Sequence, residues 1–147
     1  MRILFDADVI TDFITKREPF SSDAERSIGF CRQKKIQISI AAHTIPNLYY
    51  ILRKDLSAET RRVVLLGLFQ LFSVVNLDAE KLETALRNAA IPDFEDCLQI
   101  ECAREFKADY IVTRNLKDFA GSVVQAVEPS ELLIRLSDDT LAQATYD

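Results

Sequence analysis

The stretch from residue 93 to residue 119 constrains the fold most, because it joins a helix, a strand and a polar corner without a linker. It reads DFEDCLQIECAREFKADYIVTRNLKDF. Apolar residues recur at helical spacing from Phe94 to Phe106, and residues 110–112 then form a β-branched and aromatic run typical of a strand. A helix that leads directly into a strand indicates an α/β fold.

The same alternation of strands and helices extends over the rest of the chain. Short apolar runs predict further strands at residues 3–5, 36–40, 74–77 and 123–127, and amphipathic segments between them predict helices. We therefore expect a three-layer α/β sandwich with a central, mostly parallel sheet covered by helices. With 147 residues, the chain fits a single domain over residues 1–136, followed by a polar C-terminal tail over 137–147.

The composition of the chain limits the classes of function that it can have. A formal net charge of -5 argues against a generally basic nucleic-acid coat, so any contact with nucleic acid must be local or assisted by metal. The three cysteines show no CxxC spacing and lie in apolar patterns, which favours buried, reduced thiols and a cytoplasmic protein. No apolar stretch is long enough to cross a membrane.

Carboxylates recur where predicted strands end or helices begin. Asp6 follows the first strand, Asp93 and Asp96 open the central helix, and Asp118 follows a later strand. Strand ends and helix starts of this kind border one crevice in an open α/β sheet. Two carboxylates about 4 Å apart repel by roughly 4 kcal/mol at an effective dielectric of 20. A cluster of them therefore predicts a divalent cation, with Mg²⁺ or Mn²⁺ suited to all-oxygen ligands.

Simpler interpretations of these polar residues remain open. Asp93 is a good helix N-cap, and Asp96 would then complete an approximate capping box. Asp8 would cap the first helix and Asp12 would be a solvated acid one turn later. His43, at a strand-to-helix junction, would be a hydrogen-bonded or capping residue.

Four motifs together resemble the PIN-domain family, which includes toxins of the VapC type and RNA-processing enzymes. They are ILFDADVITDFI, ISIAAHTIPNLYYILRK, DFEDCLQIECA and ADYIVTRNLKDF, and they cover nearly the whole chain in the family's order. The resemblance implies a metal-dependent ribonuclease that acts on RNA, with an antitoxin as a partner and a homodimer as its assembly.

The resemblance also implies roles for individual residues. Asp6, Asp96 and an acid near residues 113–115, which we call the TRN corner, would bind metal. Asp118 is the candidate for that acid. Asp8, Asp93, Thr113 and Asn115 would complete the site. Arg114 and Lys117, beside the same edge, would hold the phosphates of the substrate.

Two positions depart from the family pattern. Asn47 stands where many members carry a glutamate, and Asn115 stands where many carry an aspartate. Each replaces a charged ligand with a neutral one, so an alternative is a catalytically weakened PIN fold that binds RNA or an antitoxin.

Two other enzyme and signalling classes fit less well. The Asp6-Ala7-Asp8 corner also suggests a haloacid-dehalogenase-type phosphotransferase, but no suitable lysine or Asp-Asp pair follows. A receiver domain would need an aspartate at the end of the third strand, where Leu77 and Asp78 lead into a helix.

Overall fold

The computed structural model describes residues 1–146. In this part of the chain five strands form one sheet in the order β3-β2-β1-β4-β5, and all neighbouring strands are parallel. The strands are β1 (Arg2–Phe5), β2 (Gln37–Ala41), β3 (Ser73–Val75), β4 (Tyr110–Val112) and β5 (Gln125–Val127). The predicted parallel α/β sheet is confirmed.

Helices cover both faces of this sheet. They are α1 (Ala7–Thr15), α2 (Ser21–Gln33), α3 (Thr44–Ile51), α4 (Ala58–Leu71), α5 (Ala79–Arg87), α6 (Phe94–Phe106) and α7 (Pro129–Tyr146). Two short 3-10 helices, Leu52–Lys54 and Leu116–Phe119, follow α3 and β4. Successive side chains of β1 point to opposite faces: Ile3 and Phe5 pack among helices α1 to α4 and α7, and Leu4 packs on the side of α5 and α6. Both faces are buried, which explains why the strands read as continuous apolar runs and confirms the three layers.

Side-chain caps fix several helix starts. Ser57, Asp78 and Asp93 each accept a hydrogen bond from a backbone N–H three residues later, as expected of N-cap residues. The cap of α1 differs from the expectation. Asp6 occupies the N-cap position and accepts from the N–H of Ala7, whereas Asp8 lies in the first turn, so the interpretation of Asp8 as the cap is wrong.

Two segments near the C-terminus also differ from expectation. The last strand begins at Gln125 rather than Val123, because the Ser122 hydroxyl bonds both the N–H and the carbonyl of Val124 and holds a turn there. Helix α7 continues to Tyr146 through the segment predicted as a polar tail. The last residue of that tail, Asp147, lies outside the described residues.

The cysteine prediction agrees with the structure. Cys31, Cys97 and Cys102 are free and buried, and burial raises the pKa of Cys31 to about 12 and that of Cys102 to about 11. These thiols are therefore poor nucleophiles and pack as small apolar residues. Among residues 1–146, no helix is long and apolar enough to cross a membrane.

Candidate metal-dependent active site

The candidate site lies at the carboxyl edge of the sheet, where β1 and β4 are neighbours. The chain leaves β1 toward β2 on one side, while β4 lies on the other, so the strand order switches between them. The N–H of Asp6 donates to the carbonyl of Val112 at 2.9 Å and closes this edge. A switch point of this kind opens a crevice above the strand ends, which is where open α/β sheets usually bind ligands.

Asp6 is held from three directions. Its Oδ1 accepts from the N–H of Ala7 at 2.7 Å and from Nε2 of Gln99 at 3.1 Å, and its Oδ2 accepts from the Thr113 hydroxyl at 2.9 Å. Burial, followed by the charge of Asp8, raises the pKa of Asp6 to about 7. The fold thus fixes the orientation of this carboxylate while opposing its negative charge.

Asp8 is fixed by the loop that follows β4. Its Oδ1 accepts from the N–H of Val9 at 2.7 Å, and its Oδ2 accepts from the N–H of Arg114 at 2.8 Å. The Thr113 oxygen is 3.4 Å from the same Oδ2 but only 2.9 Å from Asp6, so its single proton is shared unequally in favour of Asp6. Burial raises the pKa of Asp8 as well.

Asp12 is buried and paired, which corrects the interpretation of a solvated acid. Only 1% of its surface is exposed, and its two oxygens accept from Nε and Nη2 of Arg114 at 2.6 and 3.2 Å. The guanidinium of Arg114 also lies 4.0 Å from the ring centre of Phe20. The structure therefore commits Arg114 to a bidentate ion pair, and its predicted contact with substrate phosphates stays a prediction.

Helix α6 contributes two acids in its first turn. Asp93 caps the helix by accepting from the N–H of Asp96 at 3.0 Å, so the capping interpretation of Asp93 is confirmed. The side chain of Asp96 makes no hydrogen bond within the described residues. Partial burial, and then the charges of Asp93, Asp118, Glu95 and Asp8, raise the pKa of Asp96 to about 7. Capping explains Asp93 but leaves the carboxylate of Asp96 uncompensated.

Glu95, from the same turn, was not singled out from the sequence. Its Oε1 accepts a short hydrogen bond from Nδ2 of Asn47 on α3. Burial raises the pKa of Glu95, with a further contribution from Asp93. An acid in the first turn of a helix is usually explained by its favourable interaction with the helix dipole. Only the tertiary contact with Asn47 shows that Glu95 faces the cleft.

The TRN corner supplies the remaining polar groups. The N–H of Asn115 donates to the Thr113 hydroxyl oxygen at 3.1 Å, and Asp118 lies in the 3-10 helix that follows. Both residues line the cleft, whereas Lys117 is exposed and does not.

Together these elements enclose a cleft with a volume of about 370 Å³. Six carboxylates line it, together with the side chains of two arginines. The lining residues are Asp6, Ala7, Asp8, Thr11, Arg17, Ile51, Asp93, Glu95, Asp96, Arg114, Asn115 and Asp118. Carboxylates from three separate regions of the chain therefore face one space.

The donor chemistry of this cleft fits a hard divalent cation, since every candidate donor is oxygen. In residues 1–146, however, no three His, Cys, Asp or Glu side chains are close enough to hold one ion together. Mg²⁺ commonly binds through one or two carboxylates and keeps several waters, so this spacing is compatible with such an ion.

Two further polar residues near the cleft were not predicted from the sequence as site residues. Gln99 is fully buried, and its Nε2 donates to Asp6 and to the Thr44 hydroxyl. Arg17 lines the cleft beyond the end of α1. Helical periodicity places Gln99 on the buried face of α6, and a glutamine there is the one available signal of a polar partner.

His43 does not behave as expected. It occupies the N-cap position of α3, but neither ring nitrogen has a hydrogen-bond partner in the part of the chain that the structure describes. Burial lowers the pKa of His43 to about 4, so the ring is neutral near pH 7.

Comparison with known proteins places these features in context. A family model described as PIN domain matches residues 2–117. The VapBC-1 structure from nontypeable Haemophilus influenzae superposes with a TM-score of 0.67 at 15% identity, covering 88% of this chain and 99% of that one. A toxin-antitoxin complex from Klebsiella pneumoniae gives 0.64 at 22% identity, covering 86% and 97%.

A third structure, Mycobacterium tuberculosis VapC20, is described as a Sarcin-Ricin loop cleaving toxin. Its TM-score is 0.64 at 15% identity, and the match covers 82% of this chain and 96% of that one. At these identities the structures establish the shared fold. A search of curated proteins gives no significant match.

Proposed function

Because this chain belongs to the PIN domain family, we propose that it is a ribonuclease that hydrolyses RNA phosphodiester bonds with Mg²⁺ or Mn²⁺. The observation that carries the proposal is the convergence on one cleft of carboxylates from the start of α1, the start of α6 and the 3-10 helix after β4. A helix cap needs no such distant partners. The resemblance in fold to VapC20, described as a toxin that cleaves the Sarcin-Ricin loop, supports RNA as the substrate class.

Of the predicted ligands Asp6, Asp96 and Asp118, one or two would bind the cation directly and the rest through its waters, since no three acids of residues 1–146 are close enough to hold one ion together. The cation, when bound, would supply positive charge to the scissile phosphate and activate water. Hydrogen bonds from Gln99 and Thr113 keep the Asp6 carboxylate aimed at the cleft. In this proposal the protein orients the carboxylates that bind the metal, and hydrolysis needs no covalent intermediate with the chain.

Glu95 and Asp118 offset the two neutral positions. Asn47 carries no charge itself, but its amide holds Glu95 at the cleft, and Asp118 lies three residues beyond Asn115. The carboxylates that a glutamate and an aspartate would bring at positions 47 and 115 would thus be replaced by Glu95 from α6 and by Asp118 from the 3-10 helix that Asn115 begins.

The second candidate function is a PIN fold that binds RNA or an antitoxin with little catalysis. Two observations favour it. Asn47 and Asn115 are neutral, and in the described residues the acids do not form a close group of three. Such a protein would retain the fold and the acidic cleft but bind the cation weakly.

A toxin role would add an antitoxin and a second copy of the chain as partners. Solved complexes of toxins with antitoxins share the fold and support this part of the proposal. The exposed side chains of Val63, Leu66 and Phe69 on α4 give an apolar surface suited to a homodimer. Light scattering at micromolar concentration tests the dimer, and a strictly monomeric mass contradicts it without affecting the ribonuclease.

An RNA cleavage assay tests the enzyme directly. Purified protein with Mn²⁺ is expected to cut RNA, and Asp6→Asn and Asp96→Asn are expected to abolish cleavage while their melting transitions stay cooperative. Asn47→Glu removes the amide donor that holds Glu95 and sets two carboxylates against each other, so it is expected to lower activity. If wild-type protein cuts no more than Asp6→Asn, the binding function replaces the ribonuclease.

A further inference from the structure

The acidic cleft opens into a second groove with a volume of about 550 Å³. The two spaces share Thr11, Arg17 and Ile51 as lining residues. We call the second space the basic groove, and it is lined by Thr11, Thr15, Arg17, Ile51, Arg53, Lys54 and Asp55. Three cations against one acid make it locally positive, although the protein as a whole is negative.

Arg17 lies where the two spaces meet. Its side chain is exposed and makes no hydrogen bond or ion pair within residues 1–146, and its guanidinium is 5.9 Å from the ring centre of Phe20. All its donors are therefore available to a ligand that spans the cleft and the groove.

Arg53 is positioned before any ligand arrives. Its Nη1 donates to the carbonyl of Tyr50 at 2.8 Å, and its guanidinium stacks 3.7 Å from the centre of the Tyr50 ring. Tyr50 as a residue is 64% exposed and does not itself line the groove. A fixed guanidinium beside an aromatic ring is suited to hold the phosphates of a single strand.

The acidic cleft itself has little to offer a phosphodiester chain. Its carboxylates repel phosphate, the Arg114 guanidinium is paired with Asp12, and Lys117 does not line the cleft. A polyanionic substrate therefore needs cations beside the cleft, and the basic groove is where the chain places them.

We propose that the basic groove binds the sugar-phosphate backbone of single-stranded RNA on one side of the cleavage site, with Arg17 and Arg53 as its main phosphate contacts. The proposal rests on the ribonuclease function and adds the path of the substrate to it. Lys54 contributes charge, and Tyr50 holds the Arg53 guanidinium against its ring beside the groove.

Fluorescence anisotropy with a labelled single-stranded RNA of twelve nucleotides tests this path. Binding is measured in EDTA, so that the RNA stays intact, over a series of salt concentrations. Arg17→Ala/Arg53→Ala is expected to weaken binding on the order of tenfold and to lower the salt slope by about 1.4, since each single-strand phosphate contact contributes about 0.7. Arg17→Lys/Arg53→Lys, which keeps the charge, is expected to recover most of the affinity.

The matched control is Arg32→Ala/Lys34→Ala. It removes the same charge from exposed positions at the end of α2, on the opposite edge of the sheet, and Lys34 likewise lies over an aromatic ring, that of Phe30. This control is expected to bind RNA within twofold of wild type, and melting curves verify that each variant folds.

The outcomes separate this inference from the proposed function. If wild type binds RNA and the groove variant binds equally well, or the control weakens binding as much, the groove assignment is wrong and the ribonuclease stands. If wild type binds no RNA in EDTA, the groove assignment is wrong, and the cleavage assay with Mn²⁺ decides the ribonuclease separately. If wild type binds a polyglutamate peptide instead, and the groove variant loses that binding, the occupant is an acidic protein segment and not RNA.

Discussion

Two acidic regions of the molecule differ in how their charges are compensated. Between α5 and α6, the buried Lys81 ammonium lies 3.2 Å from a carboxylate oxygen of Asp78 and 3.0 Å from one of Glu105. At the carboxyl edge of the sheet six carboxylates line one cleft. The Arg114 guanidinium beside them forms its ion pair with Asp12, which does not line the cleft. In the first region a lysine compensates the carboxylates, whereas within residues 1–146 none of the six carboxylates of the second forms an ion pair, which is what the proposed cation would change.

The pKa values express the same difference. Hydrogen bonds from Lys81 hold the pKa of Asp78 below its usual value. Burial and mutual repulsion raise the pKa of Asp6 and of Asp96 to about 7. An arrangement that opposes its own ionisation destabilises the fold near neutral pH, and raised pKa values of this kind in a cleft mark a candidate functional site.

The largest expected effect comes from breaking the one paired charge next to the cleft. Arg114→Met leaves the buried Asp12 without a partner and should lower the free energy of unfolding by about 3 kcal/mol. Lys81→Met should cost only about 1 kcal/mol, since Asp78 and Glu105 are each about half exposed and remain hydrated. Urea denaturation measures both free energies of unfolding. Equal losses in the two variants would contradict the difference in charge compensation between the two regions.

The next effect tests how the fold holds Asp6. Gln99→Leu removes the donor at 3.1 Å from its Oδ1, and loss of such an outer hydrogen bond typically lowers metal affinity about tenfold or more. Thr44→Val, which removes the other partner of the same amide, is the control and should change the affinity little. Calorimetric titration with Mn²⁺ decides this, and equal affinities in wild type and Gln99→Leu would assign Gln99 to packing alone.

The last expected effect, which develops gradually over several pH units, is the pH dependence of the metal-free protein. The folded-state pKa of Asp96 lies above its ordinary value of 3.8, so between about pH 4 and 7 the native state binds more protons than the unfolded state. Stability should therefore fall as pH rises through this window. Asp96→Asn should flatten the decline and be more stable than wild type at pH 8, with no gain near pH 4. Thermal melts across this range measure it, and parallel curves would contradict the assigned cause.

The fold was predictable because local signals and the global arrangement agree. Apolar runs such as residues 3–5 are buried on both faces, and the caps at Ser57, Asp78 and Asp93 mark helix starts through side-chain chemistry alone. The start of β5 was missed because a serine side chain at residue 122, and not a glycine or proline, makes the turn.

The site was predictable only in part. Asp6, Asp96 and Asp118 were expected at one edge, because the ends of parallel strands meet there. The pairing of Asp12 with Arg114, and of Glu95 with Asn47, joins residues 102 and 48 positions apart. No local sequence pattern predicts such long-range contacts. These contacts determine which charged side chains are paired within the protein and which are free to bind a ligand.

Thermal melting during a titration with Mn²⁺ tests whether the carboxylate cleft binds a divalent cation. Cations that bind only the native protein stabilise it by mass action, by about 2.7 kcal/mol at a concentration of one hundred times Kd. The midpoint of wild type is expected to rise with Mn²⁺ at constant ionic strength, and Asp6→Asn and Asp96→Asn are expected to lose this rise. An unchanged midpoint in wild type, or the same rise in all three proteins, would contradict cation binding in the cleft.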